Sequence, residues 1–211
     1  MEYEVPFYSN TEDDTHCVQA SLRMMMKYFE PGNDYSWEEL EVITGKNDAY
    51  WTWPLAMLIW LSDKGYDVVV EDLFDYTQFT ERGEQYILDE LGEEVGNAQI
   101  ANSDIPAERE RAKQVSEKIT KITELPTDED IKKYLDLGYL VLCRVNSLAL
   151  NGLEGYMGHS IVVKGYDDDG LVIHDPGLPA MENREIDLQS FERGWAYPNI
   201  YMRNLTAIKP K

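Results

Sequence analysis

The stretch Gly158–Gly177, GHSIVVKGYDDDGLVIHDPG, sets two apolar runs either side of an acidic, glycine-ended turn, the pattern of an antiparallel hairpin. It carries His159, His174 and Asp175, and so two of the three histidines of the chain. Side chains alternate across a strand, and the length of the turn therefore decides which of these residues share a face. With a three-residue loop, Asp167 to Asp169, Ile161 pairs with Asp175, and His159 lies diagonally across on the same face. A two-residue loop separates His159 from Asp175. The spacing permits a histidine–aspartate pair and does not compel it.

Upstream of the hairpin, YLVLCRV (139–145) reads as a buried strand, and Thr127 caps a predicted helix over DEDIKKYLDLG. Further back, YDVVVED (66–72) reads as a strand, and Pro54 to Lys64 as a buried helix stopped by Gly65. Ser36 followed by Glu39 forms a capping box for a short helix closed by Gly45. From Cys17 to Phe29, Val18, Leu22, Met25, Met26 and Phe29 recur at helical spacing until EPGND ends the run. Residues 77–125 are the most charged and helical section, with Ala112, Val115, Ile119 and Ile122 predicted on one helical face. The order is helices first and strands afterwards. The expected class is α+β, with N-terminal helices packed on a C-terminal antiparallel sheet. The expected organisation is one domain over 1–211 with a charged helical insertion at about 77–125.

With 43% hydrophobic residues the composition is globular. A net charge of −21 disfavours nucleic acid and anionic membranes, whose phosphates it would repel. The longest apolar cluster, WTWPLAMLIWL (51–61), is too short to span a bilayer, and MEYEVPFYSN lacks the features of a signal peptide. A cytoplasmic location is expected. Two cysteines make no disulfide framework.

The chemistry rests on Cys, His and a carboxylate. Cys17 stands where the acidic run TEDDTH meets the apolar helix, and a helix N-terminus stabilises a thiolate. Glu12, Asp13 and Asp14 oppose that, so a histidine must supply most of the activation. His16 is adjacent, but neighbours at a helix start point in different directions, and it is expected to be exposed or capping. His159 is the alternative, with Asp175 to orient it. His174 is expected to face away from Asp175, and Cys143 to be core. No standard metal-ligand spacing links His16, Cys17, Asp13, Asp14 and His159. Trp51 and Trp53 are expected in core or surface packing, with a substrate groove as the alternative.

A cysteine at a helix start followed by the distant GHSIVVKGYDDDGLVIHDPG resembles the papain-like cysteine peptidases. It is most similar to the bacteriocin-processing branch that removes double-glycine leaders, and to the stand-alone relatives of that branch. VPFYSN before the cysteine, ASLRMMMKYF after it and LDLGYLVLCRV before the histidine extend the likeness. The resemblance implies a papain-like fold and a cysteine peptidase or amide hydrolase acting on a peptide or amide, with no metal or organic cofactor. It implies Cys17 as nucleophile, His159 as base, Asp175 as orienter and a thioester acyl-enzyme. The family usually has a glutamine before the cysteine as an oxyanion donor; here Asn10 stands for it, one methylene shorter, and Val18 replaces a frequent glycine. An acyltransferase on the same fold and a catalytically weakened peptide-binding module are the alternative readings.

Overall fold

Strand β3 (Leu140–Asn146) is buried along nearly its whole length, which requires cover on both faces of its sheet. The computed structural model describes residues 1–211 and supplies that cover. Seven strands lie in the order β2-β1-β7-β3-β4-β5-β6: β1 (Tyr66–Asp72), β2 (Thr120–Ile122), β4 (Gly158–Tyr166), β5 (Gly170–Asp175), β6 (Met181–Asp187) and β7 (Asn204–Pro210) with β3. Every neighbouring pair is antiparallel except β1 and β2 at one edge, which run parallel.

The alternation of each strand divides the core into two apolar clusters. Val68, Val70, Leu140, Leu142 and Val162 face α1 (Cys17–Phe29), α2 (Trp37–Thr44) and α3 (Leu55–Asp63). On that side lie also α4 (Tyr76–Arg82), α5 (Glu84–Asn102) and α6 (Ile105–Lys118), which contribute Phe79, Tyr86, Ile87, Ile105, Ala112 and Val115 to the same cluster. Val69, Val141, Cys143, Ile161 and Ile173 face the other way, against α7 (Asp128–Asp136), α8 (Ser147–Leu150) and α9 (Leu188–Trp195). The architecture is the α+β class read from the sequence, with helices on both faces of the sheet.

Local signals act where the sequence places them. Ser36 and Glu39 form the reciprocal capping box of α2, and Gly45 closes that helix in the left-handed region. Thr127 and Asp130 form a second box at α7. One expectation fails. The helix over Ala112 and Val115 stops at Lys118; Ile119 is extended, and Thr120–Ile122 becomes β2 beside β1. Ile119 and Ile122 consequently pack into opposite clusters instead of sharing a helical face. The unpaired edge of β1 offers backbone partners, and the run from Ile119 to Thr123, β-branched at every position but Lys121, suits a strand.

Candidate active site

Helix α1 begins with an open end. His16 is its N-cap by position but gives no side-chain cap, so nothing from this side chain covers the first-turn N–H groups at the positive end of the helix. Cys17 is half-buried there and lines a cavity of about 220 Å³. The loop before it is organised by Asn10. The Asn10 Oδ1 accepts from the N–H groups of Thr11 at 2.9 Å and His16 at 2.6 Å, while Nδ2 donates to Asp14 Oδ1 at 2.7 Å. The Asn10 N–H also donates to Pro176 O at 2.8 Å, which ties the cysteine loop to the residue after Asp175.

The hairpin reaches the pairing the site needs by an unexpected route. At its tip Asp167 N–H donates to Gly170 O, and Tyr166 pairs with Leu171 and Gly165 with Val172, the register of a two-residue loop. That register alone would put His159 and Asp175 on opposite faces. A bulge between Val163 and Gly165 leaves Lys164 as an extra residue on β4, and the pairing then shifts to Val163 with Ile173 and Val162 with His174. Ile161 is thereby brought opposite Asp175. His159 and Asp175 share a face, and His159 Nε2 lies 2.8 Å from Asp175 Oδ1. The bulge does what a three-residue loop was expected to do.

Both members of this pair are buried, at 8% and 3% exposure, so water does not screen them. Asp175 Oδ1 also accepts from Gly177 N–H at 3.0 Å, and Oδ2 from Arg184 Nη1 at 2.8 Å. Arg184 is absent from the sequence reading. It lies on β6 opposite Ile173, in a polar run with no local mark of a function. Burial pushes the Asp175 carboxyl up, but the His159 hydrogen bond and charge, Gly177 and Arg184 outweigh it and hold it below its ordinary value. Burial works against an imidazolium at His159, yet hydrogen bonds to Asp175 and Cys17 prevail and push it up to about 10. With Nε2 on Asp175, Nδ1 is left for the thiol. Burial raises the Cys17 thiol, and the His159 hydrogen bond and charge, with the Ser160 N–H, bring it below its ordinary value against the opposing charge of Asp14. The arrangement favours thiolate and imidazolium together.

The remaining candidates have other roles. His16 is buried, not exposed, with Nε2 2.7 Å from Glu41 Oε1 and Nδ1 2.7 Å from Thr11 Oγ1. His174 lies on the other face, bonded to Val5 O at 2.8 Å and to Asn183 N–H at 3.1 Å. Cys143 is fully buried, and burial drives its thiol far up. Trp51 and Trp53 line the cavity, and Trp53 also packs on the core as expected, stacked on Phe79 with its indole held by Gln99 and Ser103. Asn10 does not line the cavity, and its amide N–H is turned to Asp14. The geometry thus gives Asn10 a clasp in place of the oxyanion contact expected of it. No helix is long and apolar enough to cross a membrane.

The sequence model of the Peptidase_C39 like family matches residues 2–201. The chain is similar in structure to the peptidase domain of Streptococcus ComA, a bi-functional ABC transporter involved in quorum sensing. That match has 16% identity and a TM-score of 0.54, and covers 99% of this chain and 100% of the other. A double-glycine motif protease from an AMS/PCAT transporter, solved with a leader peptide, matches at 14% identity and TM-score 0.52, covering 100% of this chain and 94% of that one. A C39-like peptidase from Bacillus anthracis matches at 14% identity and TM-score 0.50, over 99% and 96%. No curated protein matches the chain.

Proposed function

The chain belongs to the Peptidase_C39 like family of cysteine peptidases, and from that premise we propose that it cleaves peptide bonds through Cys17, His159 and Asp175 by way of a thioester. The observation that carries the reading is the buried His159–Asp175 pair set against a thiol at the open end of α1.

In this mechanism the Cys17 thiolate attacks the carbonyl carbon, and the electron pair of the C=O bond moves onto oxygen. The oxyanion meets the first-turn N–H of Cys17, at the positive end of α1. As the intermediate collapses, the C–N bond breaks and His159 Nδ1 gives its proton to the departing amine. A thioester remains on Cys17. The neutral imidazole then takes a proton from water, the hydroxyl adds to the thioester carbon, and the C–S bond breaks to release a carboxylic acid and regenerate the thiolate. Asp175 keeps His159 in the tautomer that presents Nδ1 to sulfur and stabilises the imidazolium. Arg184 and Gly177 hold Asp175 in turn, so the dyad enters the reaction already oriented. Helix α5 supplies Tyr86, Leu91, Val95 and Gln99 to the cavity wall, which supports a part for the charged helical section in covering the substrate.

The test is site-specific alkylation followed by peptide mapping. At about pH 6 iodoacetamide labels Cys17 and spares Cys143 in the folded protein, and His159→Ala slows labelling at Cys17 by at least roughly tenfold. Equal rates in wild type and His159→Ala would overturn the triad.

A further inference from the structure

Arg144 is a cation of the cleft that the bond-breaking chemistry leaves unused. It pairs across the ladder with Ser160, the residue after His159, and its own neighbour Val145 pairs with His159. It also lines the cavity that holds Cys17 and His159. Directly paired residues stand about 4.5–5.5 Å apart at Cβ, and an extended peptide advances about 3.3–3.6 Å per residue. The guanidinium is therefore within two or three residues of a scissile bond held at Cys17.

Its surroundings leave it partly unsatisfied. Asp72, with a side chain only 4% exposed, takes Arg144 Nη2 on one oxygen at 3.0 Å and Lys121 Nζ on the other at 2.7 Å. One carboxylate thus answers two cations, and the cluster keeps an excess positive charge. Asn204 fixes the Arg144 backbone on both sides, accepting from its N–H at 2.8 Å and donating to its C=O at 3.0 Å. The Arg144 side chain is 41% exposed, and its Nη1 has no hydrogen-bond partner in the protein. The other arginine of the lining, Arg203, is engaged by Glu192 and by Pro126 O. Of the acidic liners, Asp14 belongs to the cysteine loop and Glu90 is exposed. A pre-positioned guanidinium edge among aromatic walls is suited to an incoming anion.

We infer that Arg144 is a specificity residue that binds a carboxylate of the peptide substrate, carried within two or three residues of the cleaved bond. This rests on the peptidase reading above. The carboxylate comes from an Asp or Glu side chain or from the free C-terminus of the peptide, and both present the same planar anion to the guanidinium. The same selection disfavours Lys and Arg at that position by repulsion.

The experiment has two readouts, so that this inference and the peptidase reading fail separately. A synthetic peptide mixture, half with free and half with amidated C-termini, is digested with wild type, Arg144→Gln and Arg144→Lys, and the cuts are mapped by mass spectrometry. The wild-type cuts show a preference of roughly tenfold or more for a carboxylate at one fixed position. Arg144→Gln loses that preference and Arg144→Lys retains much of it. Enrichment that survives amidation identifies a side chain, and enrichment abolished by it identifies the C-terminus. In parallel, Cys17 is alkylated with iodoacetate and with iodoacetamide, which need no substrate. The iodoacetate-to-iodoacetamide rate ratio falls several-fold in Arg144→Gln and holds in Arg144→Lys. A ratio unchanged in Arg144→Gln, or cuts without acidic preference in wild type, overturns the role of Arg144. Slow alkylation of wild-type Cys17 by iodoacetamide overturns the peptidase reading instead.

Discussion

Replacing Asp175 by asparagine keeps the shape of the side chain and removes one of its two acceptor oxygens. The structure makes this a severe change. Oδ1 accepts from His159 and Gly177, and Oδ2 accepts from Arg184 at 2.8 Å. If the amide oxygen stays with His159, the new NH₂ faces the Arg184 guanidinium, donor against donor. If the amide flips, its NH₂ faces the His159 and Gly177 N–H groups. Either way the carboxylate charge facing His159 is lost, and its bond to the imidazolium is no longer ion to ion, a loss of about 1.5–3 kcal/mol, or roughly one to two pKa units of imidazolium stabilisation. Since His159 is pushed up to about 10 mainly by its bonds to Asp175 and Cys17 against burial, the variant lowers it and raises Cys17. The thiolate population at about pH 6 then falls by about 10–100-fold, and iodoacetamide labelling of Cys17 slows by that factor. The difference is largest in mild acid and closes in alkali, where any thiol ionises unaided. Adding Arg184→Met removes the donor conflict and restores thermal stability, but not reactivity. Labelling at equal rates in wild type and Asp175→Asn at about pH 6, both folded, would refute the assignment of Asp175 as the source of the imidazolium.

Three further outcomes are expected. Gly177→Ala places a methyl 3.1 Å from Asp175 Oδ1 and 3.2 Å from His159 Nε2, so it slows Cys17 labelling while the circular dichroism spectrum is preserved; an unchanged rate would show that the pair tolerates the crowding. Asn10→Ala leaves the Thr11 and His16 N–H groups without their acceptor and costs about 1–3 kcal/mol in denaturant unfolding, and Asn10→Gln fails to restore it because the longer side chain does not fit the clasp; a stable Asn10→Ala with impaired turnover would return Asn10 to the oxyanion role. Glu108 is buried, with Oε2 unpartnered, and burial against the opposing charge of Arg111 pushes it from 4.5 up to about 7. The folded state therefore binds the proton more tightly than the unfolded state, and stability declines as pH rises from about 4.5 to about 7. Glu108→Gln removes that decline, about 3 kcal/mol at most, and raises Tm at about pH 8 more than at about pH 5; a pH-independent change in Tm would contradict it.

Features specified within a single element were legible in the sequence. Apolar spacing and the EPGND stop delimit α1, and Ser36 with Glu39 and Thr127 with Asp130 mark helix starts, because caps and periodicity act over one or two turns. The α+β class followed from the order of those elements, and Cys17, His159 and Asp175 were marked as candidates by the family resemblance. What local rules left open was the relation between elements. The acidic turn is compatible with two registers, and the chain resolves them at Lys164, far from the turn itself. There the N-terminal residues cross β4: Glu2 bridges to Gly165, Tyr166 N–H donates to Met1 O at 2.8 Å, and Tyr3 N–H to Lys164 O at 2.9 Å. A Cβ on Gly165 would lie 2.7 Å from Met1 O, so only glycine admits this crossing without a shift. The Lys164 side chain is buried and anchored to Glu2 Oε1 at 2.7 Å and Asn183 Oδ1 at 2.6 Å. Arg184 on β6, the tie from Asn10 N–H to Pro176 O and the conversion of residues 120–122 into a strand likewise depend on partners in other elements. A side chain declares its chemistry from its own formula, but its face, its burial and its partner are set by whichever segment packs against it.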